Sequence, residues 1–138
     1  MTDADGRFTL VNVPRERSQI DVDGDLVLPM SHDLDAHVDG DILRITAARR
    51  CHLRVEGVPP SAGIEEVEVL DAHGTSLYIV QFQSGGMMTA PRAPIVDGVS
   101  AVFAVAETAR TVVFHGDGQP GVSRALVPHP GQITVVAW

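Results

Sequence analysis

Apolar residues in this chain come in short runs, some alternating with polar residues and some continuous, with glycine, proline and aspartate between them. Eleven runs read as strands: residues 7–13, 18–22, 26–28, 42–47, 51–55, 65–70, 77–83, 99–105, 111–115, 122–126 and 132–137. No stretch of helical length is amphipathic, so the pattern predicts an all-β chain. Turn chemistry agrees, because Asp5-Gly6, Asp23-Gly24, Asp39-Gly40, Asp97-Gly98 and Asp117-Gly118 place residues that tolerate positive φ between apolar runs. Residues 58–63 and 90–94 contain prolines that cannot donate to a ladder, which predicts loops or edges there.

The beginning of the chain repeats about 90 residues later. Asp5-Gly6 aligns with Asp97-Gly98, Val13 with Val105, Gly24 with Gly116, Asp25 with Asp117, Ser31 with Ser123 and Leu34 with Leu126. After a one-residue slip, Gly40 aligns with Gly131 and Ile42 with Ile133. The seven runs from Cys51 onward have the count and spacing of a Greek-key β-sandwich. Its expected core is Leu53, Val55, Val67, Val69, Leu77, Ile79, Val102, Val112, Phe114, Leu126, Ile133 and Val135. The expected organisation is a partial sister repeat over residues 1–48, the C-terminal half of a module, followed by a complete sandwich over residues 49–138. Half a sandwich exposes an apolar face, so its strands must pack onto the second module, complete a partner chain, or belong to a longer protein.

Composition narrows the partners. Ten arginines and no lysine stand against eighteen acidic residues, and the net charge of -8 argues against nucleic acid or an anionic membrane surface. Only 4% of residues are aromatic, so the interior must be built from valine, isoleucine, leucine and alanine. Cys51 is the single cysteine and excludes an internal disulfide. No run approaches the roughly 18 apolar residues of a membrane span, and the first residues carry no export signal.

Residues 2–14, reading Thr-Asp-Ala-Asp-Gly-Arg-Phe-Thr-Leu-Val-Asn-Val-Pro, resemble the signature of carboxypeptidase regulatory-like domains, with its T-D-x-x-G-x-F stretch and a strand ending in V-P. Residues 66–74, Glu-Val-Glu-Val-Leu-Asp-Ala-His-Gly, resemble that family's later strand and turn. The resemblance implies an immunoglobulin-like or prealbumin-like sandwich, found as tandem modules in exported bacterial proteins and as a non-catalytic accessory beside enzymes. It implies an extracellular or cell-surface setting for a fragment of a larger protein, whereas a complete chain without a signal would be cytoplasmic. The related collagen-adhesin B-type domains often carry a lysine-to-asparagine cross-link, which a chain without lysine cannot form.

Several clusters carry possible chemistry. His32, Asp33, Asp35, His37, Asp39 and Asp41 are the densest set of metal-type ligands, but carboxylates suit calcium and imidazoles suit zinc. A solvated acidic loop accounts for them, and no cofactor is expected. Residues 21–25 resemble a calcium loop only superficially, and a hairpin turn explains them. Cys51 and His52 are neighbours on a strand and point to opposite faces, which separates thiol from imidazole. His115, Asp117 and Ser123 have the residue types of a hydrolytic triad without a nucleophile elbow. Glu66 and Glu68 share a strand face. Met87 and Met88 suit either packing or an adaptable contact surface. Tyr78 and Trp138 are the side chains suited to stacking on a sugar. The sequence therefore predicts a non-catalytic structural or protein-interaction module, self-associating or binding a protein partner through its N-terminal strands. A carbohydrate- or calcium-binding module is the first alternative and a small hydrolase the second.

Overall fold

A computed structural model describes residues 18–34, 44–117 and 121–138. The first two elements, β1 (Gln19–Gly24) and β2 (Val27–Asp33), form an antiparallel hairpin around Asp25 and Leu26. Eleven further strands follow: β3 (Arg50–Glu56), β4 (Ile64–Asp71), β5 (Ser76–Leu77), β6 (Ile79–Gln83), β7 (Gly86–Ala90), β8 (Arg92–Val96), β9 (Val99–Ser100), β10 (Phe103–Ala106), β11 (Ala109–Gly116), β12 (Val122–Ala125) and β13 (Ile133–Ala137). They make two sheets. The first has the order β13-β3-β10-β6-β7, and the second has the order β12-β11-β4-β8-β9 with β5 also paired to β4. Every pairing is antiparallel except that of β13 with β3.

The fold is an all-β sandwich because alternate residues of both sheets point at one another. Cys51, Leu53, Val55, Ile79, Phe103, Val105 and Val136 from the first sheet meet Val67, Val69, Ala93, Val112 and Phe114 from the second. Trp138 closes one side with its ring edge-on to Phe114, 5.0 Å between centroids.

The seven runs expected after Cys51 become eleven strands, for identifiable reasons. The run 77–83 breaks at Tyr78 and the run 99–105 at Ala101–Val102, because at both places the chain leaves the second sheet for the first. Residues 86–90 and 92–96 are strands that the pattern did not predict. Of the loops or edges expected over 90–94, Ala90 ends the edge strand β7 and Pro91 is a bend, whereas Pro94 lies inside β8. Pro94 is tolerated because β4 pairs with Arg92 to Pro94 while β9 pairs only from Ile95 onward, so no second ladder needs its missing N–H. The strand expected over 42–47 is not one over its described part, since residues 44–48 have no partner ladder. Three expected core residues point outward. Val102 sits at a sheet crossing, and Ile133 and Val135 are 56% and 54% exposed because β13 turns Val136 inward instead.

A buried hydroxyl repairs one crossing. β10 accompanies β3 only as far as Leu53, and beyond it the Val55 amide donates to Ser100 Oγ at 2.9 Å. Two glycines permit close approach of the connection between β3 and β4. A Cβ at Gly98, which also has φ 79°, would overlap the Val58 carbonyl oxygen, and one at Gly116 would overlap that of Gly63.

The β1–β2 hairpin lies on the outer face of the first sheet. Leu28 is buried against Val80, Ala104 and Ala106, with Ala48 and Leu77 alongside. Its backbone is tied by Leu28 N–H to the Ala48 carbonyl and Arg50 N–H to the Leu26 carbonyl, each 2.9 Å. The Arg50 guanidinium donates to the Asp25 carbonyl at 2.6 Å, and Tyr78 Oη donates to the Pro29 carbonyl at 3.2 Å. Covered on both faces, β10 is buried at all four positions instead of alternating.

Replacing Ser100 by alanine strands the buried Val55 amide and is expected to cost about 1–3 kcal/mol in urea denaturation. Leu28→Ala should lower stability by about 2–5 kcal/mol, read by Trp138 fluorescence. An unchanged Trp138 midpoint would mean that the hairpin does not support the sandwich.

Candidate functional site

The outer face of the second sheet carries a cluster of ionisable side chains. β4 buries Val67 and Val69, so Glu66 and Glu68 turn outward together. β11 likewise buries Val112 and Phe114 and turns His115 out. Register sets His115 opposite Glu66 and Arg92 opposite Glu68, and both side chains reach the carboxylates along the diagonals. His115 Nε2 lies 2.8 Å from Glu68 Oε2, and Arg92 Nη1 lies 3.2 Å from Glu66 Oε2. A hydrogen bond from the Ser76 hydroxyl, and then the His115 and Arg92 contacts, hold the Glu68 carboxyl below its ordinary range against the opposing effect of partial burial.

Among the described residues no hydrogen bond joins His115 to Asp117 or Ser123. His115 turns its ring to Glu68, Asp117 is exposed in the turn after β11, and Ser123 stands exposed on β12 opposite Val113. Cys51 is completely buried in the core, where desolvation, followed by the nearby Glu107 charge, raises its thiol pKa. His52 lies on the other face of β3, its ring 6.5 Å from Phe82, and burial followed by the Arg50 charge lowers its pKa. Thiol and imidazole are therefore apart. His32 and Asp33 end β2, with His32 opposite Ile20 and Asp33 opposite Gln19. Asp35, His37, Asp39 and Asp41 lie outside the described residues, as does the signature at residues 2–14. Among the described residues no group of three or more histidines, cysteines or carboxylates could hold a metal ion.

The turn after β4 is built by Asp71, whose carboxylate accepts the backbone N–H groups of His73 at 2.8 Å and Thr75 at 2.9 Å. The Thr75 bond is the main reason that its pKa is lowered. Gly74, at φ 79°, completes this turn.

Two surface features remain. The Tyr78 ring, 43% exposed, borders a shallow open depression of about 390 Å³ that Ser76, Leu77, Thr89, Ala90 and Pro91 also line. Trp138, the other stacking candidate, packs on the core and carries the Arg124 guanidinium 5.9 Å above its ring. Beside the depression runs β7, an edge of the first sheet, which exposes Met87 and Met88 and lies next to exposed Phe82 of β6. Sequence reasoning singled out the methionines but not their strand, whose Gly-Met-Met-Thr-Ala composition carries little β signal.

The chain matches no family model, no curated protein and no solved structure.

Because the Glu68 pKa is lowered in the folded state, its contribution to stability is present above the unfolded value near 4.5 and is lost as pH falls through the folded value. Glu68→Gln should therefore be less stable than the parent at neutral pH, and the gap should close below pH 4.5. Equilibrium denaturation across pH 2.5–7 checks this, and a gap independent of pH would count against it.

Proposed function

We propose that this chain is a non-catalytic structural or protein-interaction β-sandwich module of a larger, exported bacterial protein, acting through sheet edges and loops. The observation that carries the reading is β7, an exposed edge strand without a charged residue or an internal proline. Natural edges usually carry such guards, because unpaired N–H and C=O groups are a template for another strand. An edge that lacks them is suited to accept one. Further support comes from the acidic balance, which disfavours nucleic acid, and from the resemblance of residues 2–14 and 66–74 to carboxypeptidase regulatory-like modules. The bonding of His115 to Glu68, and to neither Asp117 nor Ser123, on an open sheet face favours a module over a hydrolase.

One observation favours a second reading, a carbohydrate-binding module. The partly exposed Tyr78 ring at the rim of the depression, near the hydroxyl-bearing Ser76 and Thr89, is suited to stacking on a sugar.

Two measurements separate the readings. Ester, peptide and glycoside substrate panels should give no turnover above background, and turnover abolished by His115→Ala would replace the module reading with a hydrolase. Melting temperature should stay constant on adding calcium or a panel of glycans. A glycan-dependent rise lost in Tyr78→Ala would establish the carbohydrate reading instead.

A further inference from the structure

The geometry of β7 specifies its partner further, on the premise that the chain is an interaction module. β6 and β7 are joined by the two-residue turn Ser84-Gly85, with Gln83 opposite Gly86, Phe82 opposite Met87, Gln81 opposite Met88 and Val80 opposite Thr89. A two-residue turn makes Gln83 and Gly86 a hydrogen-bonded pair, and such pairs alternate along an antiparallel ladder. Gly86, Met88 and Ala90 therefore direct their backbone groups to β6. Met87 and Thr89 direct theirs outward, away from the sheet.

Those four outward groups can be matched by an antiparallel strand, and a copy of β7 supplies one. When two β7 strands run antiparallel about a two-fold axis at Met88, Met87 of one faces Thr89 of the other, and each facing pair exchanges two hydrogen bonds. All four outward groups are then satisfied. Gly86 faces Ala90, small against small, and Met88 faces Met88 as a close non-hydrogen-bonded pair. No charge opposes a like charge, because neither β6 nor β7 contains an ionisable side chain. Met87 at 51% exposure and, on the opposite face, Met88 at 46% would both lose water on pairing.

The other edges of the two sandwich sheets fit a partner less well. β9 has two residues and β12 carries Arg124. β13 is uncharged, but its neighbour β3 carries Arg54 opposite Val135 and Glu56 opposite Ala137, paired with each other at 3.1 Å. An ion pair thus stands on the strand beside that edge, whereas β6 offers Phe82, Gln81 and Val80 beside β7, with the Arg50 guanidinium 5.4 Å over the Phe82 ring.

We propose that β7 is a homodimerisation strand, joining the five-stranded sheets of two copies into one continuous sheet across a two-fold axis at Met88. Two five-residue strands bury less than the roughly 1,200 Å² of a standard stable interface, so the dimer should dissociate on dilution.

Light scattering of the full chain over a concentration series tests this. The mass should rise from 14.7 kDa towards twice that value and stop there. Met88→Lys, which sets two like charges face to face, should weaken the dimer at least about tenfold with an unchanged circular dichroism spectrum. A second test needs no loss of association. Met88→Cys should form a disulfide-linked dimer on mild oxidation, because facing Cβ atoms in such a pair lie about 4.5–5.5 Å apart, while Met87→Cys, whose symmetry mates are farther apart, should not. Buried Cys51 does not compete.

A wild-type monomer at every concentration overturns the homodimer, as does a dimer indifferent to Met88→Lys or a mass that climbs beyond two copies. The module reading itself falls on different observations, namely turnover or glycan-dependent melting.

Discussion

The arrangement depends on one burial: Leu28 over the outer face of the first sheet. At the centre of that sheet, β6 and β10 are apolar on both sides, with Ile79, Phe103 and Val105 facing the core and Val80, Ala104 and Ala106 facing away from it. A two-layer sandwich covers only the first set. The β1–β2 hairpin covers the second, and its backbone bonds to Ala48 and Arg50 place it where β3 begins. The alanines at 104 and 106 are small enough for another layer to approach, which larger side chains there would prevent.

The strands were legible wherever apolar and polar residues alternate cleanly. β4 reads Ile-Glu-Glu-Val-Glu-Val-Leu-Asp and buries the two valines, as its pattern requires. β13 misled for a definable reason. In Ile-Thr-Val-Val-Ala adjacent valines leave the inward face undecided, and only the parallel pairing with β3 shows that Val136 is the buried one. Continuous runs misled in a different way, because an apolar run reads as one strand even when the chain changes sheets inside it, as at Tyr78 and at Ala101–Val102. β7 left almost no trace, since its pairing with β6 and not its composition makes it a strand.

Site geometry was less legible than fold, because it depends on register between strands distant in sequence. Facing rules alone put Glu66, Glu68 and His115 on the outside of their strands. They could not say that His115 reaches Glu68 or that Arg92 reaches Glu66, 26 positions away. The triad of residue types around Asp117 illustrates the opposite hazard, since closeness along a hairpin did not decide the partner of His115, whose bond goes to Glu68 on another strand.

The parallel pairing of β3 with β13 gives the sandwich a mechanical polarity. The chain enters β3 at Arg50 and leaves β13 at Ala137, whose partner on β3 is Glu56 at the other end of the strand. Entry and exit are thus separated along the strand axis by about 20 Å, at 3.3 Å per residue. Tension applied between Arg50 and Trp138 would load the rungs of this ladder together in shear instead of opening them one at a time. A sandwich held in this way transmits force along its length before it yields.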